Sequence, residues 1–141
     1  MRLLQFFLIV VGGAALLAFA AAFMPSKWMV EIAEELGIVP FPDAPLTFYL
    51  ARNLSLLYGF VGLAMLAMAS DMSRYWPLIR LAGFGTLAFG LMQIAADTMA
   101  GLPSWWTWGE GLSTFIGGLI LLALHRRAEL QLAGNDQPNV P

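Results

Sequence analysis

Residues 3–24 read LLQFFLIVVGGAALLAFAAAFM. This is an apolar run of about 22 residues with no charged side chain inside it, and a helix needs ~20 such residues to cross the hydrocarbon core of a bilayer. The run follows Arg2 directly and ends at Pro25-Ser26. Three further apolar runs follow, at about 46–69, 77–100 and 107–124. Inside a bilayer every backbone N–H and C=O must be satisfied within the protein, and runs of this length do that as helices. The sequence therefore predicts an all-α fold: a four-transmembrane-helix bundle over residues 1–127, followed by a polar tail at 128–141.

Composition supports the same reading. Of 141 residues, 60% are hydrophobic and 11% charged, against about 25% charged in an ordinary soluble domain. Lipid must be the solvent for much of this surface, and four spans with short connections use nearly the whole chain. A net charge of −2 with no basic patch argues against nucleic acid. There is no cysteine, which excludes disulfides, thiol redox chemistry and thiolate metal sites. One histidine, His125, cannot hold a haem between two histidines of one chain. No cofactor and no metal site is expected.

The first span has a rival reading as a cleaved signal peptide. Arg2 would be its basic start, and Ala18-Phe19-Ala20 or Ala20-Ala21-Ala22 its small-residue cleavage site. The run is longer than the usual apolar core of such a peptide, and no polar stretch precedes the site. Read as a span, Ala14, Ala18 and Ala22 form a small-residue face for close packing.

Between the first two spans lies a short amphipathic segment, about 26–36. Trp28, Met29, Ile32, Ala33 and Leu36 share one face, and Lys27, Glu31, Glu34 and Glu35 the other. It is too short and charged to span, so a helix lying on the membrane surface is expected, capped by Ser26 and closed by Gly37. Its acidity means that attraction to anionic lipid does not hold it there. Ile38–Pro45, with Pro40, Pro42 and Pro45, reads as an extended connection.

Basic residues set the orientation. Arg2, Arg74, Arg80, Arg126 and Arg127 lie at one side of the four-span arrangement, and positive charge marks the cytoplasmic side. Both termini are therefore expected inside. The amphipathic helix and the connection with Trp105, Trp106 and Trp108 are expected outside. Losing the first span would leave the other three oriented the same way.

One polar cluster can carry function. Arg52, Asp97 and Glu110 fall within or at the outer ends of spans. Arg52, Ser55, Gly59 and Gly62 share a helix face; so do Ala82, Thr86, Gly90, Gln93 and Asp97, and so do Glu110, Ser113 and Gly117. Small residues mark helix contacts in membranes, so these faces should meet. Arg52 lies about two turns in, roughly 9 Å at 1.5 Å per residue. An unpaired arginine there is costly, which predicts an Arg52–Asp97 or Arg52–Glu110 ion pair with Asn53, Gln93 and Tyr58 as hydrogen-bonding neighbours. Two carboxylates facing one arginine leave surplus negative charge, which in a partly dry site favours keeping one acid protonated. The plainer reading is that Arg52 and one acid tie helices together while Glu110 caps its helix in water.

Other residues read structurally. His125-Arg126-Arg127 is an interfacial anchor, Trp76, Trp105, Trp106 and Trp108 are belt residues, and Met65, Met68, Met72, Met92 and Met99 are packing residues.

Three stretches carry a resemblance: Tyr49–Tyr58 (YLARNLSLLY), Ala69–Ile79 (ASDMSRYWPLI) and Asp97–Gly111 (DTMAGLPSWWTWGEG). Together they are similar to a group of small uncharacterised bacterial integral membrane proteins, over most of the chain from Pro25 to Glu110 and beyond. The layout of four short spans also looks like that of the DoxX-like membrane proteins, in plan and not in motif. The resemblance implies a multi-pass protein of the bacterial inner (plasma) membrane and no particular chemistry.

Three functions are open on the sequence. The first is a non-enzymatic accessory subunit that binds another membrane protein, or itself as a homo-oligomer, within the lipid bilayer. The second is a small proton- or ion-coupled carrier using Arg52, Asp97 and Glu110. The third is a lipid- or quinone-handling enzyme with Asp97 and Glu110 as an acid–base pair.

Overall fold

The computed structural model describes residues 1–39 and 41–135; Pro40 of the expected extended connection and residues 136–141 of the expected tail lie outside it. The chain is all-helical among the described residues: α1 (Arg2–Leu16), α2 (Ala18–Ala22), α3 (Ser26–Glu35), α4 (Pro45–Ser70), α5 (Trp76–Ala100) and α6 (Ser104–Asn135). Four helical stretches are long and apolar enough to cross a membrane: Arg2–Ala22, which joins α1 to α2, then α4, α5 and α6. The junction at Leu17 is a tightened turn, with Leu17 N–H donating to Ala14 O at 3.1 Å and Ala20 N–H to Leu17 O at 3.0 Å.

Helix ends follow local chemistry. Gly37 and Gly101 adopt φ of 74° and 70°, a conformation that glycine alone adopts without steric cost. Each closes its helix with the same pair of bonds. Ile38 N–H donates to Ala33 O and Gly37 N–H to Glu34 O, while Leu102 N–H donates to Asp97 O and Gly101 N–H to Thr98 O. These satisfy carbonyls that a helix end leaves open. Pro77 sits in the first turn of α5, where its missing N–H costs nothing.

The chain divides into two compact units, Leu8–Ser70 on one hand and Met1–Phe7 with Asp71–Pro141 on the other. In the first unit, α4 packs on the first span through glycine. A Cβ on Gly62 would lie 2.6 Å from Gly12 O and 2.9 Å from Leu16 N, and one on Gly59 would lie 2.5 Å from the Phe19 ring. Backbones this close leave room only for hydrogen, the packing that substitutes for a hydrophobic drive inside lipid. Phe19 then meets Phe60 edge to face, with centroids 5.3 Å apart. The expected α4 face through Gly59 and Gly62 is therefore observed. The expected face of Ala14, Ala18 and Ala22 is observed only in part: α2 packs on α4 and Ala22 is buried, Ala14 is exposed, and Gly12, Ala15, Leu16 and Phe19 are what the α4 glycines approach.

In the second unit, α5 and α6 form an antiparallel hairpin around Gly83 and Gly90 on one helix and Gly111 and Gly118 on the other. A Cβ on Gly90 would meet Phe115 N at 2.6 Å and Gly111 O at 2.8 Å; one on Gly118 would meet Leu87 N at 2.6 Å. Both pairs repeat at seven residues, which keeps one face in register along two turns. Gly117 meets nothing within 4 Å and Ser113 is exposed, so the expected α6 face is turned by one residue.

Two further expectations change. The last helix does not stop near Leu124 but continues through to Asn135, so the first part of the expected tail is helical. His125 is 3% exposed; its Nε2–H donates to Trp76 O at 3.2 Å, and the two rings stack with centroids 4.0 Å apart. A carbonyl can only accept, so Nε2 carries the proton. His125 and Trp76 thus lock the base of the hairpin. Met65, Met68 and Met72 are buried as expected, whereas Met92 and Met99 lie on the exposed surface.

Candidate functional site

The end of the α5–α6 hairpin next to its connecting turn brings two of the predicted polar residues together. Gln93 lies almost one turn beyond Gly90 on α5, and Glu110 precedes Gly111 on α6. The glycine crossing draws the helices close enough for Gln93 Nε2–H to donate to Glu110 Oε1 at 2.8 Å. Both side chains are half-buried. Glu110 lies in the second turn of α6, on the side where the helix dipole favours negative charge.

Asp97 follows Gln93 by four residues, so it shares that face of α5. Its situation is the reverse of that of Glu110. It lies in the last turn of α5, among carbonyls whose partial charge is negative, and its own carbonyl accepts the Leu102 N–H. Its Oδ2 is buried and has no hydrogen-bond partner among the described residues. A buried carboxyl oxygen with no donor lacks the hydrogen bond that normally offsets its burial. A proton or a small cation would supply that missing partner.

The other predicted residues belong to α4, in the first unit. Arg52 Nη2 donates to Met24 O at 3.2 Å and to Ser26 Oγ at 3.1 Å, which pins the corner between α2 and α3. Ser26 therefore serves as an acceptor for Arg52 and not as the cap of α3; Pro25 holds the cap position, with no side-chain bond to the helix. The guanidinium takes these acceptors from its own unit, and the expected ion pair with Asp97 or Glu110 concerns the other one. Asn53 Nδ2 donates to Tyr49 O, one turn back on the same exposed surface of α4. Tyr58 is half-buried on α4.

No group of three or more His, Cys, Asp or Glu side chains suited to a metal ion occurs among the described residues. The Met24–Ser26 corner is what sequence reasoning missed about Arg52. Its signal was the Pro25-Ser26 helix break, whose open carbonyl needed a donor. No protein family, curated protein or solved structure matches this chain.

Proposed function

We propose that this chain is a small multi-pass membrane protein whose α5–α6 hairpin carries an exchangeable proton on Asp97, as part of a proton-coupled carrier. The observation that carries this reading is the buried, unpartnered Oδ2 of Asp97 beside the Gln93–Glu110 bond. Ionisable groups within spans are costly to keep and serve proton and ion pathways by default. Asp97 holds the proton, Glu110 is the second carboxylate, and Gln93 fixes the orientation of Glu110. Within the second unit, α5 starts where α6 reaches His125, and α1 starts beside α6, so Arg2, Arg74, Arg80, Arg126 and Arg127 gather at one end. By the excess of positive charge that end is cytoplasmic, which puts both termini inside and the acids toward the outer face of a bacterial inner membrane.

The test is charge displacement in proteoliposomes adsorbed on a solid-supported membrane, with jumps in pH and in sodium concentration as the probes. A pH jump should give a transient current that Asp97→Asn abolishes and Glu110→Gln diminishes. A current unchanged by Asp97→Asn would overturn the proposal.

A second reading, that of a partner-binding accessory subunit, is favoured by α3. Trp28, Ile32 and Leu36 are all exposed, while Glu31, Glu34 and Glu35 make the helix acidic. Gentle purification from the native membrane tests it: a stoichiometric membrane-protein partner lost on Trp28→Ala supports it, and a chain that purifies alone speaks against it.

A further inference from the structure

The second unit contains a cleft of about 440 Å³ far from the Asp97 end, between the start of α1 and the last turns of α6. Its polar wall is made by Arg2, Arg127 and Gln131, and its apolar wall by Leu4, Leu124 and Leu132. The volume falls in the range of small-molecule sites, roughly 300–1,000 Å³. Leu4 is fully buried beneath this wall, Leu124 is half-buried and Leu132 is exposed, so Leu124 and Leu132 supply its accessible apolar surface. Arg2 and Arg127 are exposed, and no acidic side chain lines the cleft among the described residues. Met1 N donates to Gln131 Oε1 at 3.3 Å, which holds the two helices together at the rim.

Two guanidiniums without a carboxylate between them form an anion site, and planar forked donors match phosphate oxygens particularly well. The position matters as much as the charge. Arg2 opens the first span and Arg127 follows Leu124 at the end of the apolar part of the fourth, so both stand at the depth of lipid headgroups. A free phosphate would use the arginines alone. An amphiphile would also use Leu124 and Leu132. We propose that this cleft binds the phosphate of an anionic phospholipid, with Arg2 and Arg127 on the phosphate, Gln131 on the polar headgroup, and the upper acyl chain along the leucines. Basic pockets between spans on the cytoplasmic side hold lipid headgroups in this way. The site is independent of Asp97, and its test leaves the carrier reading untouched.

The experiment is native mass spectrometry of the delipidated full chain, titrated separately with phosphatidylglycerol, phosphatidylcholine and inorganic phosphate. Phosphatidylglycerol should bind at least tenfold more tightly than phosphatidylcholine, and inorganic phosphate should leave no adduct. Arg2→Gln with Arg127→Gln should remove that preference, while Arg126→Gln, outside the cleft, should keep it. The double lysine variant, Arg2→Lys with Arg127→Lys, checks folding and should retain part of it. Equal binding of the two lipids would overturn the proposal, as would an unaltered preference in the double glutamine variant. Phosphate binding as tight as that of lipid would overturn the assignment to an amphiphile.

Discussion

Gln93 and Glu110, seventeen residues apart in sequence, are joined across the α5–α6 hairpin by a 2.8 Å hydrogen bond. The bond exists because Gly90 and Gly111 let the two backbones nearly touch just below it. Gln93→Leu should lower the unfolding free energy by about 0.5–2 kcal/mol, the measured scale of such bonds in membranes. Thermal unfolding in detergent checks this, and Gln93→Glu should cost more by placing two carboxyls together.

The glycine crossing predicts a sharper contrast. Gly90→Ala forces a methyl against Phe115 N and Gly111 O, backbone atoms that cannot rotate away. It should destabilise the hairpin by about 1–3 kcal/mol, as overpacking does. Gly85→Ala and Gly117→Ala meet open space and should stay within about 0.5 kcal/mol of the parent. Unfolding curves of the three variants in one detergent decide the matter.

Much of this fold is legible in the sequence. Span length alone marks α1–α2, α4, α5 and α6, and glycine after an apolar or amphipathic run marks the ends of α3 and α5. Rotation about each helix axis is harder to read. Adjacent glycines such as Gly117 and Gly118 are equivalent by composition, and only the partner helix selects Gly118, by placing Leu87 opposite it. The meeting of Gln93 and Glu110 is legible because polar side chains in apolar helices are conspicuous and seek one another. Arg52 reads less well, because backbone carbonyls at a helix break compete with carboxylates for its donors, and sequence does not show where those carbonyls lie.

Arg52→Gln should loosen the corner between the first span and α3. Bonds to a charged donor contribute about 1.5–3 kcal/mol, and Arg52 is only half-buried, so a loss near the lower figure is expected. Limited proteolysis between α3 and α4 should speed up in Arg52→Gln and return toward the parent rate in Arg52→Lys.

Asp71, in the exposed turn between α4 and α5, has its carboxyl held below the ordinary aspartate range. The Arg74 backbone N–H at 3.1 Å is the main cause, and the Ser73 hydroxyl at 3.0 Å the second. A lowered value in the folded state means that its contribution to the turn is complete above the ordinary aspartate value and is lost as pH falls through the folded one. The Arg74 amide resonance should report this, shifting with a midpoint on the acid side of the ordinary value. In Asp71→Asn that transition should vanish.

The protonation of Asp97 tests the central claim most directly. Infrared difference spectra of the reconstituted protein, recorded across a pH titration, separate a protonated carboxyl from a carboxylate. A protonated-carboxyl band that comes and goes reversibly with pH and is lost in Asp97→Asn is expected. A spectrum with no pH-dependent carboxyl band, or with one that survives Asp97→Asn unchanged, would contradict it.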